Sequence, residues 1–198
     1  MGKPPRILPV DRVEAADEVQ ATTKLLLSSI AGPDRELPPI PLDAIPEIMF
    51  TMCRVPDLWQ SLMDVTVQLQ GPNSKLEPRD RKLAILRTGW LCQAPYEFGE
   101  HVEQARRIGL SEVDVDLVVE GSAAPEWNGH ERAVLRAVEE LHGSSMVSDE
   151  TWTQLSKRMS DEQLLELLVL VGQFTATAYF QNSLRLRLEN RNKGLAAR

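Results

Sequence analysis

Two residues in the middle of the chain have the types and the spacing that proton-transfer chemistry requires. Glu97 and His101 are four positions apart, so on a helix they would lie on the same face. A carboxylate beside an imidazole orients the ring and raises its pKa, as a general acid–base pair needs. Glu97 would also lie in the first turn of its helix, where the helix dipole stabilises a carboxylate. The pair predicts either an acid–base site or a solvated ion pair on a helix surface.

Several side chains near this pair are candidates for contact with a small-molecule substrate. Aromatic and sulfur-containing residues crowd the segment 90–98, which indicates partial burial of the pair. Lys82 and Arg87, on the preceding predicted helix, would either meet an anionic substrate or lie on a solvated helix face. The candidate substrate-binding residues are therefore Tyr96, Lys82, Arg87, Cys92 and Trp90.

The remaining motifs favour no metal and no other cofactor. His130 and Glu131 are not followed by a histidine at metalloprotease spacing, and no Walker or Rossmann glycine pattern occurs. His130 lies near a predicted helix start and His142 near a predicted helix end, so both are expected to be capping or surface residues. Cys53 and Cys92 cannot build a disulfide framework and suit a reducing cytosol.

The elements that must position these residues are predicted to be helices. Aromatic residues make up only 5% of the chain, and no run of alternating polar and apolar residues predicts a strand. The sequence predicts an all-α protein of about eight helices. The predicted helices span residues 11–29, 45–54, 56–69, 77–91, 95–108, 111–120 and 129–142, followed by one capped by Ser148 and a long one capped by Ser160 that continues towards Leu188.

The same patterns divide the chain into three predicted parts. Residues 1–45 form an N-terminal helix and a Pro-rich wrapping segment, 46–188 a helical domain, and 189–198 a flexible tail. A stop at Gly32-Pro33 and an extended connector over 33–46 separate the first two parts. In the helix over 56–69, we expect a buried stripe made of Leu58, Leu62, Val65 and Leu69.

Charge and hydropathy exclude two classes of partner. The formal net charge is -7 and no basic patch occurs, so we expect no nucleic-acid partner. No secretory signal is present, and the most apolar stretch, residues 164–171, is too short to span a bilayer, so we expect no membrane partner and a cytoplasmic location. The helix around 164–180 is apolar over most of its circumference, which predicts a homo-oligomer. Candidate contact residues are Trp59, Trp90, Met49 and Met52.

A family resemblance appears over about residues 45–188. Residues 76–87, which read Leu-Glu-Pro-Arg-Asp-Arg-Lys-Leu-Ala-Ile-Leu-Arg, are followed by Tyr-Glu-Phe-Gly-Glu-His at 96–101 and Gly-Leu-Ser at 109–111. These segments resemble the carboxymuconolactone decarboxylase family of the alkyl hydroperoxidase D-like superfamily. Similar residues also stand at Arg54, Pro56, Trp127, residues 131–141 and 147–149, and Asn182.

The resemblance implies an alkyl hydroperoxidase D-like helical bundle with a non-peroxidatic site. Peroxidase members carry a Cys-x-x-Cys pair at the positions of Ala94 and Glu97, and a relay glutamate at the position of Lys82. Disulfide-based peroxidase chemistry needs an attacking thiolate and a resolving thiol, and neither stands at these positions. The decarboxylase branch, which pairs a glutamate with the histidine, fits better.

By this resemblance, His101 is the general acid–base catalyst and Glu97 its orienting or proton partner. The implied enzyme is a lyase, a decarboxylase of aromatic compound catabolism that acts on a small carboxylated lactone or a related carbonyl compound. The resemblance also implies a homo-oligomer, from dimer to hexamer. Two alternatives stay open: an oligomeric helical binding or scaffold protein with a degenerate site, and a redox protein that uses Cys92 and Cys53.

Overall fold

The computed structural model describes residues 4–31 and 40–198, and over those residues it contains helices and no strand. The all-α fold class is therefore confirmed. Within the described residues the α-helices are α1 (Ala16–Ala31), α2 (Glu47–Met52), α3 (Pro56–Gln70), α4 (Pro78–Leu91), α5 (Pro95–Arg107), α6 (Glu112–Glu120), α7 (Gly129–Ser144), α8 (Asp149–Leu155) and α9 (Asp161–Leu184), with short 3-10 turns at Leu42–Ala44 and Gly194–Ala196.

The helix starts follow local chemistry that the sequence displays. Helices α3, α4 and α5 each begin with a proline, whose missing N–H would have no partner in the first turn. Ser111 and Asn128 form capping boxes at α6 and α7, and Ser148 caps α8. Gly109 has a φ of +92°, as expected for the glycine that ends α5.

The first and the last α-helix differ from their predicted bounds. Helix α1 begins at Ala16 rather than at Asp11, because the Asp11 carboxylate accepts the N–H groups of Val13 and Glu14 in a turn instead. Helix α9 ends at Leu184, and Arg185 follows it with a φ of +56°. The predicted stop at Gly32-Pro33 and the first part of the connector lie outside the described residues.

The chain divides into two compact units, with a boundary at Ser74. Unit 1 contains Met1–Ser74 and Ser183–Glu189, and unit 2 contains Lys75–Asn182 and Asn190–Arg198. In unit 1, α1 packs against α2 and α3. The buried carboxylate of Glu47 accepts Arg187 Nε at 2.9 Å, which ties the segment after α9 to α2.

The predicted buried stripe of α3 is wrong for two of its members. Leu58 is 52% exposed and Val65 38% exposed, whereas Trp59 and Met63 are buried with Leu69. The larger side chains Trp59 and Met63 lie one turn apart and bury more apolar surface, so they turn α3 about its axis relative to the predicted face.

Helix α4 is the centre of unit 2. It packs against α5, α6 and α7, and residues 82–89 are buried without interruption. A helix buried on all sides has little amphipathic periodicity, so its faces cannot be told apart from the sequence. Polar residues on this helix, Lys82 and Arg87 among them, are therefore buried with the apolar ones.

The last nine residues differ from the predicted flexible tail. Asn192 is buried, and its Nδ2 donates to the backbone oxygen of Tyr96 at 2.9 Å. The turn Gly194–Ala196 packs against α5, and Arg106 donates to the backbone oxygen of Ala197. The close approach requires a glycine on α5, because a Cβ at Gly99 would overlap the Asn192 amide. The segment thus covers one face of α5.

Helix α9 has two apolar faces, of which the structure buries one. Its 24 residues reach the length and hydropathy of a membrane-spanning helix, and a third of its most apolar stretch is buried inside the chain; one such helix is weak evidence for a membrane span. The buried face is made of Leu164, Leu167, Leu170, Val171, Phe174, Ala178 and Gln181. The opposite face, which we call the α9 stripe, exposes Leu165, Val169, Gly172, Ala176 and Tyr179.

Candidate active site

Hydrogen bonds connect three buried ionisable side chains in unit 2. Glu97 and His101 lie one turn apart on α5, with Glu97 Oε1 2.9 Å from His101 Nε2. On the other side of the ring, Lys82 Nζ of α4 lies 2.9 Å from His101 Nδ1. None of the three residues is more than 6% exposed. The structure thus turns the predicted pair into a three-membered cluster from which bulk water is excluded.

The partners of the imidazole assign its tautomer. Ionised Glu97 can only accept a hydrogen bond, so Nε2 of His101 must carry a proton. Lys82 donates, so Nδ1 of the neutral ring is the acceptor. Donation therefore runs from Lys82 through His101 to Glu97. Such a row can move a proton from the amine to the ring while the ring passes a proton to the carboxylate.

Burial reverses the predicted direction of the His101 pKa. The sequence predicted a raised pKa, because a carboxylate lies beside the ring; that prediction is wrong. Desolvation is the largest effect and lowers the pKa, and the positive charge of Lys82 lowers it further, against the hydrogen bond and charge of Glu97. His101 is therefore a neutral imidazole in the folded protein near neutral pH.

Lys82 has an equally perturbed environment. Burial lowers the pKa of its ammonium group to about 7, Arg81 contributes in the same direction, and Glu97 opposes both. An amine with this pKa is present in both protonation states near neutral pH, which is the property that a group must have to give and accept protons there. Buried titratable groups of this kind are enriched at functional sites.

Neighbouring side chains hold the cluster in position. Lys82 Nζ donates to Gln104 Oε1 at 2.6 Å, and Gln181 Nε2 of α9 donates to Glu97 Oε2 at 2.7 Å. The ring of Phe174 meets His101 edge-on, with 5.1 Å between centroids. Each member of the cluster is thus fixed by a side chain that takes no part in the proton row.

Sequence reasoning missed these supporting residues, although one of them left a signal. Gln181 falls on the apolar stripe of α9, three residues after Ala178 and seven after Phe174. A polar residue on an otherwise apolar helix face has a buried partner more often than not. Gln104 left no comparable signal, because it lies in a mostly polar stretch of α5, beside Glu103, Arg106 and Arg107.

Lys82 and Arg87, the two basic candidates on α4, have different partners in the structure. Neither lies on a solvated face, since both are buried. Arg87 donates to the backbone oxygens of Val118 and Val119 and pairs with Glu139 at 2.8 Å. Its guanidinium therefore joins α4 to the end of α6 and to α7, whereas Lys82 joins the cluster.

The structure does not bring the other candidates into the hydrogen-bonded row. Trp90 is half-buried, and its ring packs against Phe98 at 5.5 Å. The Sγ atom of Cys92 lies 3.9 Å from Nδ1 of His142. Tyr96 is buried on α5, and its backbone oxygen accepts the hydrogen bond from the C-terminal segment. Contact of these three residues with substrate stays a prediction.

Both cysteines have the electrostatics of unreactive thiols. Cys53 and Cys92 are free. Burial is the largest effect on each pKa and raises it, with Glu18 adding to the effect at Cys53 and a hydrogen bond with Thr175 opposing it at Cys92. Thiol chemistry needs a thiolate, which a raised pKa disfavours. The redox alternative therefore gains no support from either environment.

The surroundings of His130 correct a second prediction. Its side chain is 8% exposed rather than at the surface, and its Nε2 lies 2.7 Å from Asp80 Oδ2. His142 is exposed in the last turn of α7, as expected. Over residues 4–31 and 40–198, no group of three or more His, Cys, Asp or Glu side chains could hold a metal ion.

Comparison with protein families gives one match within the region that contains the cluster. The model of the Carboxymuconolactone decarboxylase family matches residues 54–140, which include Lys82, Glu97 and His101. A comparison with curated proteins found no match.

Solved structures share the fold over most of the chain. An uncharacterized peroxidase-related protein from Ralstonia eutropha JMP134 with an alkylhydroperoxidase AhpD core is 14% identical, covers 96% of this chain and 95% of its own, and has a TM-score of 0.76. A protein of unknown function from Agrobacterium tumefaciens is 23% identical over 70% and 94%, with a TM-score of 0.65. The debrominase Bmp8, in complex with 2,3,4-tribromopyrrole, is 16% identical over 98% and 95%, with a TM-score of 0.69. At these identities the similarity shows the fold alone.

Proposed function

We propose that this chain, whose residues 54–140 match the Carboxymuconolactone decarboxylase family model, is an acid–base enzyme acting on a small carboxylated lactone or related carbonyl compound. The observation that carries the proposal is the buried row of Lys82, His101 and Glu97. A solvated ion pair, the alternative for Glu97 and His101, would be exposed, and these residues are not.

The row suits the proton transfer that a decarboxylation needs. Loss of carbon dioxide leaves an electron pair, which must be stabilised and then protonated at carbon. The ammonium form of Lys82 stabilises the developing negative charge in a water-poor site. His101 then delivers a proton that it draws from Lys82, and Glu97 keeps the ring in its Nε2–H form.

Thiol peroxidase activity is not part of the proposal. Ala94 and Glu97 occupy the positions where peroxidase members of the family carry their cysteine pair. The buried Glu97 is hydrogen-bonded to His101 and Gln181, so this position has an acid–base partner in place of a thiol.

The test is release of carbon dioxide from a panel of carboxylated lactones and β-keto acids. Tribromopyrrole joins the panel as a non-carboxylated ring compound. Wild type is compared with His101→Gln and Glu97→Gln, and His130→Gln serves as the matched control because it alters another buried histidine that pairs with a carboxylate. We expect turnover of a carboxylated compound that both site variants lose and the control retains. Equal turnover in wild type and His101→Gln would contradict the proposal.

The α9 stripe favours self-association, which we propose alongside the enzyme. Leu165, Val169 and Tyr179 are 63%, 53% and 67% exposed, and Gly172 and Ala176 leave room between them for a second helix. Trp59 and Met49, candidates from the sequence, are buried within one chain and cannot be the contact. Sedimentation of wild type against Val169→Glu tests this: an oligomer that the variant loses supports the stripe, and a monomeric wild type contradicts it.

The oligomeric scaffold with a degenerate site is the second candidate function. The same stripe favours it, because a scaffold needs a contact surface and no chemistry. It predicts that His101→Gln and Glu97→Gln leave both oligomer and function intact. A cytoplasmic location belongs to the proposal, and cell fractionation tests it.

A further inference from the structure

The Lys82 amine lies where a nucleophile and its base would be placed. Its Nζ is 2.9 Å from Nδ1 of His101, which is within reach of direct proton transfer. His101 is in turn oriented by Glu97 at 2.9 Å. A nucleophile, a base and a third group that orients the base are the parts required for covalent catalysis. The acid–base mechanism above uses only the charge and the proton of Lys82, and leaves its nitrogen lone pair unused.

We propose that Lys82 forms a Schiff base through Nζ with the ketone carbon of a β-keto acid, and that the site decarboxylates this substrate through an enamine. The proposal rests on the proposed function and narrows its substrate class to acids whose carbonyl lies two carbons from the carboxylate. It assigns to Lys82 the role of a catalytic residue, because its nitrogen bonds to the substrate.

Burial supplies the reactive form of the amine. Desolvation, helped by the charge of Arg81, lowers the pKa of Lys82 to about 7, against the opposing charge of Glu97. About half of Lys82 is therefore free amine at neutral pH, whereas an ordinary exposed lysine is free amine in only about one molecule in a few thousand. His101, neutral and accepting at Nδ1, can take the proton that the attacking nitrogen loses.

Each step balances with water and solvent protons as the only co-reactants, and one proton is consumed for each carbon dioxide released. The Nζ lone pair adds to the ketone carbon, and the nitrogen gives a proton to His101. His101 returns the proton to the carbinolamine oxygen, a second proton taken up from solvent lets the hydroxyl leave as water, and a cationic imine remains. The bond to the carboxylate then breaks, its electron pair moves into the imine to form an enamine, and carbon dioxide departs. Protonation at carbon and hydrolysis by water release the ketone and the free amine.

Reductive trapping tests the covalent step on the full-length protein. Wild type, Lys82→Arg and the control Lys157→Arg are incubated with acetoacetate and sodium cyanoborohydride at neutral pH, and the modified peptides are identified by mass spectrometry. Lys157 is an exposed lysine on the loop after α8, so its replacement leaves the cluster untouched. Melting curves of all three proteins establish that they are folded.

We expect an isopropyl adduct on Lys82, formed on the order of a thousandfold faster than on exposed lysines because its free-amine fraction is larger by about that factor. The adduct should be absent from Lys82→Arg and unchanged in Lys157→Arg. Adducts confined to exposed lysines, or equal labelling of wild type and Lys82→Arg, would overturn the Schiff base.

The form of the adduct separates this inference from the proposed function. An adduct on Lys82 that retains the carboxylate supports the Schiff base and contradicts decarboxylation. Release of carbon dioxide that depends on His101 but leaves Lys82 unmodified overturns the Schiff base and leaves the acid–base proposal standing.

Discussion

Replacement of Lys82 by methionine should stabilise the protein more at neutral pH than at high pH. Methionine keeps most of the length and apolar volume of the lysine side chain and removes the amine. Since burial lowers the folded-state pKa of Lys82, the unfolded chain binds a proton that the folded chain releases. Wild type therefore gains stability as the pH rises through this range, and Lys82→Met does not share that gain.

The size of the effect follows from the two pKa values. The fall from 10.5 to about 7 corresponds to about 5 kcal/mol of unfavourable free energy in the fully protonated limit. About 4 kcal/mol of this is present at pH 7 and about 1 kcal/mol at pH 10. The difference in unfolding free energy between Lys82→Met and wild type should therefore shrink by about 3 kcal/mol between these pH values. The hydrogen bonds that are lost with the amine change the unfolding free energy by about the same amount at pH 7 and at pH 10. The difference between the two pH values is therefore unaffected.

Urea denaturation followed by circular dichroism measures the effect. Wild type, Lys82→Met and the control Lys157→Met are unfolded at pH 7 and at pH 10. Lys157 is exposed, so its ammonium group is solvated in both states and its loss should change stability about equally at both pH values. A stability difference for Lys82→Met that is the same at both pH values would refute a buried, perturbed Lys82.

Three further changes have defined outcomes. His101→Ala should lower turnover by a factor of about 100 to 10,000, the usual contribution of a general acid–base group; an unchanged rate constant would remove it from the chemistry. Arg87→Met should cost about 3 kcal/mol in urea denaturation, because the backbone oxygens of Val118 and Val119 would lose their donor and Glu139 its ion pair; a cost below about 1 kcal/mol would mean that these groups are solvated. Gly99→Ala should displace Asn192 and expose the C-terminal segment to trypsin; wild-type resistance in limited proteolysis would contradict that packing.

Local features of the site were predictable because they depend on a single helix. The spacing of Glu97 and His101 places them on one face of α5 whatever the rest of the fold does. The proline at the start of α5 and the glycine after it are likewise local signals. For that reason the sequence predicted the helix and the pair together.

Features that depend on packing between helices were not predictable. Lys82 meets His101 across 19 positions, and Gln181 meets Glu97 across 84. Helix α4 is buried on all sides, so its sequence has no polar face that would distinguish a buried lysine from a solvated one. The direction of the His101 pKa failed for the same reason, because burial and the charge of Lys82 outweigh the adjacent carboxylate.

The C-terminal segment is another feature whose structure depends on packing and not on a local sequence signal. Residues 190–198 are polar and contain no helix-length apolar pattern, which predicts a tail. Their order depends on Asn192 fitting against Gly99, a contact that only the packed α5 surface provides.

The tautomer of His101 shows whether Lys82, His101 and Glu97 act as one proton path. Nitrogen-15 NMR distinguishes the protonated ring nitrogen, and the chain has only three histidines to assign. We predict that His101 at pH 7 is neutral with its proton on Nε2, and that its Nδ1 signal shifts in Lys82→Met. A doubly protonated ring, or a neutral ring with its proton on Nδ1, would contradict the path.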